Sequence, residues 1–118
     1  MLNAATSAPS TDCVARLCDV DAEGQSYNLC DGIVRASAEP GQVWTYEIDL
    51  WSTSNVFLAG HRIRVHVTSS SFPRWDRNLN TGKQGEAQTQ AAEQQIHHGA
   101  DAPTYIELPV VEADTNAR

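Results

Sequence analysis

Residues 40–82 read PGQVWTYEIDLWSTSNVFLAGHRIRVHVTSSSFPRWDRNLNTG, and this stretch decides the fold. After the Glu39-Pro40-Gly41 turn signal, Trp44, Tyr46, Ile48 and Leu50 alternate with Thr45, Glu47 and Asp49. A period of two places the apolar set on one face, which predicts a half-buried antiparallel strand. Ser52 to Asn55 turns the chain, and the alternation resumes beyond Ala59-Gly60. There Ile63, Val65 and Val67 point inward while Arg62, Arg64, His66 and Thr68 point outward. Ser69 to Gly85 then reads as a polar loop studded with Phe72, Pro73 and Trp75.

The flanking segments extend this pattern. Cys13–Val20 is apolar on both parities, as expected of a strand deep in a sandwich. Asp21-Ala22-Glu23-Gly24 predicts a hairpin turn, with Gly24 at positive φ and Ser26–Cys30 returning. Asp31-Gly32 marks a further turn or bulge before Ile33–Ala36. Downstream, Glu86–Gln95 is rich in Ala, Gln and Glu and so ambiguous between helix and strand, its second half expected as strand running into Ile96. Thr104–Val111 reads as the closing strand, with Ile106, Leu108 and Val110 inward and Pro109 marking an edge. These readings divide the chain into an extended N-terminal segment (1–12), one β-sandwich domain (13–111) and a frayed tail (112–118).

Composition narrows the function classes. The chain has 118 residues, a formal net charge of −7 and eight basic against fifteen acidic side chains. A phosphate backbone or an anionic bilayer demands a concentrated Lys/Arg surface, so neither nucleic acid nor membrane is an expected partner. No apolar run reaches the ~18 residues of a spanning helix, and the N-terminus lacks the basic and apolar regions of a signal peptide. Cys13 and Cys18 fall on opposite faces of one strand, which leaves the cysteines as reduced thiols and a cytoplasmic location as the plain expectation.

Catalytic signatures are weak. No Gly-x-Ser-x-Gly elbow surrounds Ser69, Ser70 or Ser71, and a triad built on His61, His66 or His98 is a minor alternative. Asp19-x-Asp21-x-Glu23-Gly24 imitates the start of a calcium loop, but position 12 would be Cys30 rather than glutamate, so a hairpin turn is the better reading. His97-His98 cannot both reach one metal from a strand, and His98 is expected to make a structural hydrogen bond, with His61 or His66 as cross-strand candidates. No cofactor or metal is expected. The candidate functional surface is the loop Phe72, Pro73, Arg74, Trp75, Asp76, Arg77 and Asn78, whose aromatic and Arg anchors suit a partner or ligand, against the alternative that Phe72 and Trp75 cap the core.

The order and spacing of several motifs resemble one family. They are Ala15-Arg16-Leu17-Cys18-Asp19-Val20, Leu29-x-x-Gly32-x-x-Arg35-Ala36, Pro40-Gly41, Ile48-Asp49-Leu50, Gly60-His61-Arg62-Ile63-Arg64, Phe72-Pro73, Arg77-Asn78-x-Asn80-Thr81-Gly82, His98 and Pro103–Val110. Together they are similar to the C-terminal β-domain of the X-prolyl dipeptidyl-peptidase, cocaine esterase and α-amino-acid ester hydrolase group of serine hydrolases, from near Thr6 to Val111. The resemblance implies an all-β antiparallel sandwich, a partial jelly-roll of the galactose-binding-like type. It implies a catalytic triad housed in a separate α/β-hydrolase domain that nothing here matches. It also implies that the family's first strands precede residue 1 and that a segment near Ala36–Glu39 is shortened.

The expected function is therefore non-catalytic binding or assembly. One alternative is a subunit or fragment completing a hydrolase whose catalytic domain is encoded elsewhere, and a second is a small-ligand or carbohydrate-binding module displaying Trp44, Trp51 and Trp75. Unpaired strand edges are a template for another chain, so a homo-oligomer is expected, with a hydrolase catalytic domain as the other possible partner.

Overall fold

Nearly all the buried hydrophobic residues lie between Leu2 and Val20, because that stretch supplies the central strand of each sheet. The computed structural model describes residues 1–83 and 87–112. Its strands are β1 (Leu2–Thr6), β2 (Ser10–Val20), β3 (Ser26–Ser37), β4 (Trp44–Tyr46), β5 (Arg62–Thr68) and β6 (Gln94–His97). They form two three-stranded antiparallel sheets, ordered β4-β1-β6 and β3-β2-β5, and no helix occurs among the described residues.

Met1–Asp12 is thus not a lead-in. Leu2–Thr6 is the central strand of one sheet, and Ser10–Asp12 begins the central strand of the other. The segment is buried although its side chains are small and partly polar, because each of the two strands lies between two partners. Leu2 and Ala4 of β1 meet Cys13 of β2, and Val34, Tyr46 and Ile48 pack against this cluster. Gly41 N–H donates to the Thr6 carbonyl, and Ser7 exchanges bonds with Glu93, so the N-terminal strand is held at its far end too.

The Asp21 turn is a hairpin. Asp21 Oδ1 accepts from the N–H groups of Glu23 and Gln25, and Gly24 sits at φ 90°. Register runs from Val20↔Ser26 to Ser10↔Ser37, shifting between Leu17 and Cys18 so that Leu29 is the extra residue of a bulge. Asp31-Gly32 is no turn but lies within β3. A Cβ at Gly32 would fall 2.0 Å from the Asp49 carbonyl oxygen, so glycine is required where the 48–50 segment crosses the strand.

Two other expectations change. Alternation over Tyr46, Ile48 and Leu50 is present in burial, but the ladder covers only Trp44–Tyr46, and Trp44 is exposed. Ile63, Val65 and Val67 pair with Asp19, Leu17 and Ala15 on the inner side as expected, yet they remain 51%, 39% and 37% exposed. Their face is right and their burial is not, because no described residue covers that end of the cleft. Gln94–His97 does form the strand anticipated at Ile96, while Glu86 lies outside the described residues. Thr104–Val111 is not a ladder strand. Ile106 and Leu108 are half-buried and Val110 is exposed, and Tyr105 exchanges two backbone bonds with Met1. Of the tail, residues 113–118 lie outside the described residues.

The open sandwich shows in its size. The radius of gyration is 17.0 Å, against about 13.5 Å for a compact domain of this length.

Candidate functional site

The loop after β5 folds back over the outer face of the β3-β2-β5 sheet, and polar contacts fix it there. Arg16 on β2 donates to Ser71 Oγ at 3.0 Å, and Arg74 pairs with Asp31 of β3 at 3.0 Å. Asn78 Nδ2 donates to Ser10 Oγ and Asp12 Oδ1 at 3.1 and 3.0 Å. Within the loop, Ser71 O accepts the Arg74 and Trp75 N–H groups, and Asn78 Oδ1 caps the Asn80 N–H, with Asn80 at φ 66°. Asn80 Nδ2 reaches the Gln90 carbonyl, which anchors the loop to the segment leading into β6.

Asp12 is the hub. Its side chain is almost wholly buried, and it accepts the Asn78 bond together with two from Arg35, Nε at 2.8 Å and Nη2 at 3.0 Å. A buried carboxylate is tolerable when this many donors face it. Its hydrogen bonds, and then its charge, hold the Arg35 guanidinium firmly protonated.

The seven candidate residues are therefore brought together but not equivalent. Asn78 and Arg74 bind the sheet. Trp75 is half-buried with the Arg74 guanidinium 4.7 Å from its ring centroid. Phe72 is 70% exposed, and Pro73, Asp76 and Arg77 are exposed, so Phe72 does not cap the core. Sequence reasoning missed Asp12 and Arg35, which join this network from the hairpin. They face each other in the β2–β3 register, but the bulge at Leu29 shifts that register by one residue and hides the pairing from a count along the chain.

The histidines assemble differently from expectation. His61 Nδ1 lies 2.8 Å from Asp19 Oδ1, and Asn55 donates to Asp19 Oδ2. His66 Nδ1 lies 4.0 Å from Cys18 Sγ, which also faces Asn28 Oδ1 at 3.5 Å. Cys18 is fully buried, so this thiol presents no face to a substrate. His98 is exposed and meets neither His61 nor His66, and it makes no hydrogen bond among the described residues. No group of three metal-ligating side chains forms among the described residues. The three cysteines are free, and burial pushes the Cys13 thiol up from its ordinary value, with Asp12 adding to the effect.

Two facing three-stranded antiparallel sheets, with the loop after β5 tied to one of them by polar contacts, make this a β-sandwich domain. Residues 1–107 match the family described as the X-Pro dipeptidyl-peptidase C-terminal non-catalytic domain, and the chain belongs to that family. It is 42% identical over 120 residues to cocaine esterase of Rhodococcus sp. (strain MB1 Bresler), a match covering 90% of this chain and 21% of that protein. The chain thus spans about a fifth of that relative's length, and the matched part is the non-catalytic one. No helix among the described residues is long and apolar enough to cross a membrane.

Proposed function

We propose that this chain serves as a docking and assembly module that completes a hydrolase of the cocaine esterase type, with a partial jelly-roll, galactose-binding-like architecture. The observation that carries this reading is the open inner face of β5. Ile63, Val65 and Val67 form an apolar row beside Leu17 and Ala15, and Ile96 on β6 is exposed too. Exposed rows of this kind mark an interface. Trp51 supports the same reading, being 78% exposed and held at φ 64°, a conformation few side chains adopt. Val56 and Leu58 are also exposed. The covering partner is the remaining hydrolase polypeptide, since the related esterase carries about four-fifths of its length outside the matched region. A cytoplasmic setting is supported by the three free cysteines.

The test is complementation. Rhodococcus cocaine esterase lacking its matched C-terminal part is mixed with this chain, and recovery of soluble complex and ester hydrolysis is measured. Recovery with the natural chain and its loss with Val65→Asp are expected. Failure of the two polypeptides to associate at micromolar concentration would sink the reading.

A second copy is the alternative partner, favoured by the outer edges of β3, β4, β5 and β6, which pair with no strand among the described residues. Sedimentation of the chain alone should then give twice its 12.9 kDa mass or more. The carbohydrate-module reading rests on exposed Trp51 and Trp44, and a silent glycan array would remove it.

A further inference from the structure

We propose that the cleft between β3 and the 76–83 segment is a binding site for a small oxyanion, a carboxylate or a phosphate. This inference stands apart from the docking reading, which rests on the opposite face of the sheet. The cleft measures about 480 Å³, within the ~300–1,000 Å³ of small-ligand sites. Arg35, Arg77 and Lys83 line it, three of the eight cations of a chain whose net charge is −7. Such convergence in an acidic protein is the feature to explain. Of the arginines nearby, Arg16 is engaged with Ser71, Arg74 with Asp31 and Arg35 with Asp12.

The walls are built rather than accidental. Arg35 comes from β3 and is fixed by Asp12 through Nε and Nη2, which leaves the remaining guanidinium N–H groups to point elsewhere. Asn78 ties the opposite wall to the same Asp12 carboxylate, so one buried charge sets the separation of both sides. Arg77 forms no hydrogen bond or ion pair with any described residue, although it lies one position from Asn78. Ser37 adds a hydroxyl. Planar guanidinium groups on facing walls, supplemented by an ammonium and a hydroxyl, match an oxyanion's lone pairs, which favour bidentate Arg contacts. Asp76 is the acidic residue of the lining, and its charge acts on Arg35. It is the internal competitor that an incoming anion displaces.

The experiment is a backbone-amide NMR titration of the full chain with phosphate, citrate and acetate in separate arms, ionic strength held constant with sodium chloride. Saturable shifts confined to residues 35–37 and 76–83 are expected, and the tighter arm names the anion. Arg77→Gln, which loses no hydrogen bond or ion pair with any described residue, should weaken binding about tenfold or more. Lys83→Gln should weaken it in the same direction, and Asp76→Asn should tighten it several-fold. Arg62→Gln, on β5, should leave it unchanged. Shifts that fail to saturate, that follow chloride equally, or that persist in Arg77→Gln would overturn the proposal, as would weaker binding in Asp76→Asn.

Discussion

Side chains of similar chemistry carry very different energies here, and exposure decides which. Leu17 is 2% exposed at the centre of β2, so Leu17→Ala should cost about 2–5 kcal/mol in a urea titration. Val65 sits opposite it on the same face but is open to water. Val65→Ala should therefore cost under ~1 kcal/mol in the isolated chain and more in a complex that covers it. Arg35→Met removes two charge-assisted bonds and leaves the buried Asp12 carboxylate with Asn78 as its side-chain donor. A loss of about 1–3 kcal/mol is expected, and the double change with Asp12→Asn should lose less than Arg35→Met alone. Cys13, Cys30 and Tyr46 are neutral acids whose ionisation the fold suppresses by raising their pKa, burial being the first cause in each. The unfolded chain ionises these groups at their ordinary values of 9.0 and 10.0 while the folded chain resists. Stability should hold below pH 9 and fall as pH rises above it, and Cys13→Ala should blunt the fall.

At the scale of elements, β2 and β1 dominate because each lies between two partners, while the strands with the clearest alternation became edges or fragments of edges. The period-two pattern over 62–68 reported orientation faithfully, but orientation says nothing about what lies across the cleft. The hairpin at Asp21 was legible because Asp and Gly chemistry is local, fixed by an Asx-type cap and a positive φ. Gly32 was read as a turn or bulge, whereas glycine here serves close backbone approach, the approaching segment coming from residues 48–50. Gly32→Ala must push that segment off β3, and a cost of about 1–3 kcal/mol is expected by thermal or chemical denaturation. A neutral outcome would show that residues 48–50 do not rest on the strand.

For the whole molecule, membership in a non-catalytic domain family and the burial of Cys18 lead to one kinetic expectation. The purified chain alone should hydrolyse neither aryl esters nor aminoacyl substrates above the rate of buffer. Turnover that saturates and is abolished by a serine-directed phosphonate would contradict it. The loop of residues 72–78 was singled out from its composition, since aromatic and Arg residues on a long polar connection stand out locally. Its anchoring partners Asp12, Arg16 and Asp31 were not, because they sit on the hairpin and are reached only when the loop folds back across the sheet.

The sequence by itself determined the all-β class, the alternating faces of residues 44–50 and 62–68, the Asp21 hairpin, the family and the absence of a nucleophile elbow. Each depends on spacing within a few residues or on the order of motifs, and both are properties of the chain alone. Only the tertiary structure decided that Leu2–Thr6 is a central strand, that Asp12 joins Arg35 to Asn78, and that the β5 row faces an open cleft. Those features require distant segments to meet. Small polar residues such as Asn3 and Thr6 gain their burial from neighbours on both sides, not from any hydrophobic signal of their own.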